Sequence, residues 1–273
     1  MTLTQAIKKL RPSVVQINVE FVLPAAGPGQ QPQVATSRGS GFFINRDGYV
    51  ITARHVVTPP DLPPHAQRGR QFIGIAFPDI DNPGGLQLRA SFQLIGFEVV
   101  GEDARHDLAL LKLRQNPFKE PRVQLTNQPG GVKSIEIDVV TLSLKRPEDG
   151  EPIAASGYPL NIPSLVTTSG GVASAWAYDE QEVQLPGHPQ GLRFPDFADV
   201  YLADLTVNHG NSGGPVYSVS SGAVIGVCVA ARFVPVQGPP NIPLSYNSGI
   251  SLVVPSKYIV ELLKKHGLTA ATI

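Results

Sequence analysis

The sequence of 273 residues predicts an all-β fold, and three observations lead to this prediction. Apolar residues recur in short runs with the alternation that is typical of half-buried strands. Turn-forming residues separate these runs: 27 glycines and 26 prolines favour many tight turns without reaching a disordered composition. The 3.6-residue period of an amphipathic helix occurs only near the two ends of the chain. A chain of this length accommodates two barrels that share one cleft.

The first half of the chain, residues 1–125, is predicted to form a short helix and the first barrel. The helix covers Thr2–Leu10 and ends near Pro12. Val22–Ser37 and the proline-rich Pro59–Gly69 are predicted as loops, and Asn45–Gly48 as a hairpin turn. The predicted strands of this half are Ser13–Phe21, Gly39–Ile44, Tyr49–Thr52, Gln71–Phe77, Phe92–Gly101 and Leu108–Leu113.

The second half, residues 126–255, is predicted to begin with a linker over Thr126–Lys133 and to form the second barrel. A helix over Ser256–His266, with Ser256 as its N-cap, then opens a tail of residues 256–273. The predicted strands of this half lie near Val139–Leu144, Ile153–Gly157, Leu165–Ala175, Val200–Ala203, Pro215–Tyr217, Ala223–Ala230 and Gly249–Val254.

Charge and composition exclude several classes of protein. Lys and Arg together number 22, as do Asp and Glu, so no basic surface for nucleic acid is expected. No run approaches about 18 apolar residues, which argues against a membrane span. The single cysteine, Cys228, lies in an apolar run and is interpreted as a buried, inert thiol. With no disulfide and no signal peptide in view, we expect a cytoplasmic location. No metal motif or phosphate-binding loop is present, so neither a metal nor a cofactor is predicted.

Three short segments contain the residue types of a hydroxyl nucleophile and its activators. They are Gly39–Phe43 running on to His55, His106–Leu111, and Gly210–Pro215. A serine hydroxyl is a weak nucleophile at neutral pH, and it needs a histidine base that is oriented by a buried carboxylate. The candidates are His55 as base, Asp107 as acid and Ser212 as nucleophile. Asp103 is the nearest alternative acid.

The order of the three segments decides between two kinds of hydrolase. Gly210–Gly214 also fits the nucleophile elbow of α/β-hydrolases, but there the acid and the histidine follow the serine. Here the order is histidine, aspartate, serine, as in chymotrypsin.

His106 is a second histidine next to the candidate acid, because it precedes Asp107 directly. Neighbours in an extended segment point in opposite directions, so His106 is expected to face away from the other candidate residues.

The chain resembles the chymotrypsin-fold serine proteases, and within them the HtrA/Deg type. Gly39–Val57 matches the histidine motif of that type almost in full, Asp107–Leu111 the aspartate motif and Gly210–Pro215 the serine motif. Lesser matches are Gly157–Pro159 with Thr168–Gly170, and Val254–Ser256. The resemblance covers about residues 12–266. It implies two six-stranded antiparallel barrels and protein or peptide substrates, and it leaves a homo-oligomer open. No PDZ-like segment follows the predicted last helix, so no PDZ domain is expected.

The candidate substrate-binding residues surround the nucleophile. Gly210 and Ser212, with Asn211 between them, are predicted to form the oxyanion hole through their backbone N–H groups. By the resemblance, Thr206 lies on the floor of the primary pocket, His209 at its mouth, and Cys228, Val229, Ala230 and Ala231 along its wall. These residues predict cleavage after small or medium aliphatic side chains. A misalignment by two positions would place Asp204 on the floor instead.

Two hypotheses follow for the function. The first is an active serine endopeptidase. The second is a latent binding or chaperone-like module that needs a trigger, because the resemblance includes members whose loops hold the site inactive. Two long segments, Trp176–Phe197 and Arg232–Asn247, are predicted to be irregular loops near the site, and the second is the candidate control element.

Overall fold

Two closed antiparallel barrels contain most of the strands, which confirms the predicted all-β fold with two six-stranded barrels. The computed structural model describes residues 1–25, 27, 29, 31–63, 65–78, 90–124, 132–162, 164–175, 199–236 and 244–273. The predicted loop Trp176–Phe197 and all but the end of the predicted linker Thr126–Lys133 lie outside the described residues.

The first barrel closes in the order β1-β2-β3-β6-β5-β4, and every pair is antiparallel. Its interior is built from alternate residues, as in β1, where Val15, Ile17 and Val19 are fully buried and Gln16 is partly exposed. β-branched side chains suit such a pleated, buried face. Its strands are β1 (Val14–Leu23), β2 (Gln33–Asn45), β3 (Tyr49–Ala53), β4 (Gln67–Pro78), β5 (Ala90–Asp103) and β6 (Leu108–Leu113).

The described chain between the barrels contributes three short strands. β7 (Arg122–Gln124) and β8 (Val132–Ser134) form a separate two-stranded sheet. β9 (Thr141–Leu142) runs parallel to a strand of the second barrel, and the last strand of the chain, Ala271–Thr272, runs parallel to β9. The predicted strand Val139–Leu144 is therefore much shorter than expected.

The second barrel closes in the order β13-β10-β11-β12-β15-β14. Its core includes Ile153, Val172, Val216 and Val253. Its strands are β10 (Pro152–Gly157), β11 (Val166–Ser174), β12 (Tyr201–Asp204), β13 (Pro215–Ser218), β14 (Val224–Val236) and β15 (Leu244–Pro255), and the final β16 is Ala271–Thr272.

In the part of the chain that the structure describes, three α-helices flank the barrels, and none of them is both long and apolar enough to cross a membrane. α1 (Leu3–Leu10) begins at Thr2, whose side chain accepts from the Gln5 backbone in a capping box. α2 (Arg54–Val57) is a single turn after β3, and α3 (Ser256–Lys265) follows β15. The predicted N-cap at Ser256 is wrong: Pro255 holds that position, and the Ser256 hydroxyl donates to the Val224 carbonyl instead.

Two predicted loops contain paired strands. In Val22–Ser37, β1 continues to Leu23 and β2 already begins at Gln33, with Leu23 opposite Gln33. In Arg232–Asn247, β14 extends to Val236 and pairs with β15 from Leu244. The prediction of an irregular segment is therefore wrong at both of its ends, and residues 237–243 lie outside the described part of the chain.

Candidate active site

Strand pairing brings the candidate base and acid together. Ala53, the last residue of β3, pairs with Leu108, the first residue of β6, so the residues that flank this pair are neighbours. His55 Nδ1 lies 2.5 Å from Asp107 Oδ2, and the backbone N–H of His55 donates to Asp107 Oδ1 at 2.8 Å. The Asp107 carboxylate therefore accepts from both the ring and the backbone of His55, which fixes the orientation of the imidazole.

The backbone conformation of Asp107 contributes to this geometry. Its φ is +52°, in the left-handed region that aspartate tolerates better than most residues. Its carbonyl accepts from the Arg54 N–H at 2.8 Å, so Asp107 is held through both backbone and side chain. Its side chain is 15% exposed against 35% for His55, so the imidazole is the more accessible partner of the pair.

His106 and Asp103 form a second histidine–aspartate pair that faces away from the cleft. His106 Nδ1 lies 2.8 Å from Asp103 Oδ2, and the His106 ring stacks on Tyr258 of α3 at 3.6 Å. His106 thus contacts Asp103 and Tyr258, in agreement with the prediction that it faces away from His55. The predicted reason is wrong, because residues 104–107 form a turn and not an extended segment. Burial alone raises the pKa of Asp103, but the hydrogen bonds and the charge of His106 outweigh it, so the pKa lies below its ordinary value.

The turn that carries Ser212 depends on two glycines with positive φ. Gly210 has a φ of +101° and Gly213 a φ of +85°, which other residues adopt only with strain. A Cβ at Gly210 would collide with the Tyr158 carbonyl, and one at Gly213 with the Ser40 carbonyl. The glycines of the motif therefore permit both the tight turn and its close packing against the chain around it.

Two backbone N–H groups of this turn have no hydrogen-bond acceptor among the described residues. Asn211 N–H donates to Asn208, Gly213 N–H to Cys228 and Gly214 N–H to Asn211. Among the residues that the structure describes, the N–H groups of Gly210 and Ser212 have no such acceptor. Unpaired backbone donors are costly when they are shielded from water, and two of them so close in sequence are what an oxyanion hole requires.

The His209 carbonyl is held on the other side of the turn. It accepts from the Leu160 N–H at 2.8 Å, and Leu160 itself has a φ of +53°. The peptide bond between His209 and Gly210 is trans, so its N–H points opposite to its carbonyl. The His209 carbonyl therefore points towards Leu160, and the Gly210 N–H points in the opposite direction.

Ser212 is anchored by its backbone. Its carbonyl accepts from the Ser40 N–H at 2.8 Å. Within the described part of the chain, the Ser212 hydroxyl makes no hydrogen bond to His55, and catalytic hydrogen bonds often tighten only when substrate binds. Gly213 abuts the backbone at Ala53, two residues before His55, which places the turn beside the base.

The pocket candidates differ in exposure. Cys228 and Val229 are buried, Ala230 and Ala231 are partly exposed, and Thr206 and His209 are exposed. Burial raises the pKa of the Cys228 thiol to about 12, which confirms the interpretation of a buried, inert thiol.

Sequence reasoning missed several residues around the nucleophile. Leu205 and Val207, on either side of Thr206, are buried and apolar. Leu160 lies in a short turn with no distinguishing motif. Ser40 had a signal, since it belongs to the matched Gly39–Phe43 segment, but nothing in the sequence indicated its partners. Asp204 is exposed at the end of β12, so the alternative pocket alignment stays open.

Comparison with known proteins places this site in context. Residues 39–227 match the model of the trypsin-like peptidase domain family. The chain is 28% identical over 260 residues to rat serine protease HTR4, covering 94% of this chain and 39% of that protein. It is 30% identical over 234 residues to a probable periplasmic serine endoprotease DegP-like of Rhizobium meliloti, covering 85% and 34% respectively. The chain thus spans well under half the length of these curated relatives.

A solved structure supports the fold. The HtrA-type protease AlgW, solved with a decapeptide, superposes with a TM-score of 0.60 at 19% identity. The superposition covers 98% of this chain and 68% of that one. At this level of identity the likeness concerns the two-barrel architecture.

Proposed function

Because the chain belongs to the trypsin-like peptidase domain family, we propose that it is a serine endopeptidase that acts through His55, Asp107 and Ser212. The relatives that it matches carry the name serine protease or serine endoprotease. One observation supports the proposal most directly: the N–H groups of Gly210 and Ser212 are free among the described residues, while their neighbours in the turn are paired.

The proposed mechanism assigns one task to each group. His55 Nε2 accepts the proton of the Ser212 hydroxyl as its oxygen attacks the substrate carbonyl. Asp107, 2.5 Å from Nδ1, keeps the base in the correct tautomer and stabilises the imidazolium. The N–H groups of Gly210 and Ser212 donate to the oxyanion. The imidazolium then protonates the leaving amine, and a water molecule activated by His55 hydrolyses the acyl-enzyme.

A preference for small or medium aliphatic residues before the cleaved bond belongs to the same proposal. The residues proposed for the pocket wall, Cys228, Val229 and Ala230, are apolar, and no charged side chain stands at the proposed floor position, Thr206. An apolar pocket disfavours lysine and arginine because a buried, unpaired charge is costly. Self-association and a cytoplasmic location stay predictions.

The latent-module alternative makes a different structural demand. One way to hold such a site inactive is an oxyanion hole that is filled or misdirected until a trigger acts. The hydrogen bond from the Leu160 N–H to the His209 carbonyl favours an oxyanion hole that is ready to bind. It holds the His209 carbonyl against Leu160, so the Gly210 N–H of the same peptide group points away from Leu160.

The decisive experiment labels the full chain with a fluorophosphonate probe and maps the modified residue by mass spectrometry. We expect labelling of Ser212, cleavage of an unfolded protein substrate, and loss of both in Ser212→Ala. Without its nucleophile the enzyme should lose about six orders of magnitude in kcat. A folded parent chain that neither labels nor cleaves would favour the latent module.

A further inference from the structure

Ser40 of the first barrel contacts the nucleophile turn of the second barrel at two points. Its N–H donates to the Ser212 carbonyl at 2.8 Å, and its hydroxyl donates to the Gly210 carbonyl at 2.6 Å. The same hydroxyl accepts from the Tyr158 N–H at 2.9 Å. Ser40 is fully buried, so all of these bonds are shielded from water.

We infer that Ser40 is a positioning residue of the oxyanion hole; the inference rests on the proposed function. The two carbonyls that Ser40 holds belong to Gly210 and Ser212, the residues whose N–H groups are free. Anchoring a residue's carbonyl restricts its backbone torsions and so restricts the direction of its N–H. The hydroxyl and the backbone N–H of Ser40 thereby help to orient the N–H groups of Gly210 and Ser212.

The surroundings of Ser40 leave its hydroxyl little freedom. Its own carbonyl accepts from the Thr52 hydroxyl at 2.7 Å, and Thr52 is also fully buried. The Ser40 hydroxyl donates its proton to the Gly210 carbonyl and accepts a hydrogen bond from the Tyr158 N–H, so its orientation is restricted on both sides. The hydroxyl therefore connects the turn with the segment at Tyr158, two residues before Leu160.

The competing interpretation is that Ser40 only fills space in the interface between the barrels. The two interpretations differ in what a substitution changes. A packing residue contributes to stability alone, whereas a positioning residue contributes to the binding of the tetrahedral state more than to the binding of substrate. The difference is measurable once the fraction of active enzyme is known from titration with the fluorophosphonate probe.

The experiment compares Ser40→Ala with a matched control, Ser13→Ala, in the full chain. Ser13 is equally buried and its hydroxyl donates to the Leu10 carbonyl at 2.7 Å, remote in sequence from the nucleophile turn. For Ser40→Ala we expect kcat to fall about 10- to 100-fold with KM nearly unchanged, since small misplacements of reacting groups cost about that much. The control should retain the parental kcat.

A second readout isolates the oxyanion hole. A peptide boronate forms a tetrahedral adduct with Ser212, so its inhibition constant should rise by the same factor as kcat/KM falls. The acid limb of the pH profile should keep its midpoint, because the hydrogen bonds of Ser40 to the described residues do not include His55 or Asp107. Ser40→Cys, with a weaker donor of similar shape, should lie between the parent and Ser40→Ala, and it serves in place of the alanine variant if that one does not fold.

Two results would overturn the inference, and a third would contradict the proposed function on which it rests. Parental kcat and boronate affinity in the folded Ser40 variants would overturn it, even if their thermal stability were lower. Equal losses in Ser40→Ala and Ser13→Ala would overturn it as well. A parent chain that does not label with the fluorophosphonate would instead contradict the proposed function, which keeps the two failures apart.

Discussion

Replacing Asp107 with asparagine tests the central electrostatic contact of the proposed mechanism. Asp107 Oδ1 accepts from the His55 backbone N–H at 2.8 Å, and Oδ2 accepts from the ring at 2.5 Å. In Asp107→Asn, the amide oxygen is expected to keep the backbone bond, since that partner is a donor. The amide NH2 then faces Nδ1, which must become an acceptor, so the ring proton moves to Nε2.

The expected magnitude follows from this tautomer. With a proton on Nε2, His55 cannot accept the proton of Ser212, and kcat should fall roughly 10⁴-fold at neutral pH. That factor corresponds to about 5 kcal/mol of lost transition-state stabilisation. KM should change much less, because Asp107 is not a candidate for contact with the substrate. The measurement is steady-state hydrolysis of a peptide substrate at pH 7, corrected by titration of active sites.

Asp103→Asn is the matched control. It makes the same change in a second histidine–aspartate contact of similar length, four residues earlier, whose histidine faces α3. Because Asp103 also accepts from the backbone N–H groups of Arg105 and His106, the variant should lose about 1–3 kcal/mol of stability at most. Its kcat should stay within a few-fold of the parent. Large loss in Asp103→Asn with near-parental Asp107→Asn would refute the assignment of the acid.

The remaining predictions concern the turn, the pH dependence of stability and the pocket. Gly210→Ala should abolish turnover and lower the melting temperature, because the new Cβ meets the Tyr158 carbonyl at a φ of +101°; parental activity would show that the turn has another conformation. Burial by itself raises the pKa of Asp199, but hydrogen bonds from Lys257, Arg146 and Tyr258 lower it below its ordinary value. A lowered folded-state pKa contributes stability above the unfolded pKa, near 3.9, and loses it as the pH falls through the folded pKa. Thermal unfolding of Asp199→Asn should therefore depend less on pH below about pH 4 than that of the parent, and equal slopes would contradict this role. Cleavage sites mapped by mass spectrometry should follow Val, Ala, Ile or Leu, and a map dominated by Lys and Arg would point to Asp204 on the pocket floor.

Much of the fold was readable from the sequence because it depends on local patterns. The alternation of Val15, Ile17 and Val19 predicts a strand with an apolar face, and these three side chains are fully buried in β1. The base and the acid were also predictable, since His55 and Asp107 lie in motifs whose order suits one class of hydrolase. Their contact in the structure agrees with that reading.

Other features depend on partners that are distant in the chain. The hydroxyl of Ser40 bonds to a carbonyl 170 residues away and to an N–H 118 residues away, and no local preference specifies either partner. The ends of the two long hairpins, such as Gln33 opposite Leu23, are extended because a neighbouring strand supplies their hydrogen bonds. Their own composition favours loops.

The sequence by itself therefore determined which residues of this protein are suited to acid–base and nucleophilic chemistry, because side-chain type and motif order are local properties. Only the tertiary structure decided how the backbone around Ser212 is held. The free N–H groups of Gly210 and Ser212 and the bond from Leu160 to His209 depend on the path of the chain within the second half of the protein. The two bonds from Ser40 arise where the first barrel packs against the turn. Backbone N–H and carbonyl groups are nearly the same in every residue, so the three-dimensional path of the chain decides which of them pair, and the local sequence does not.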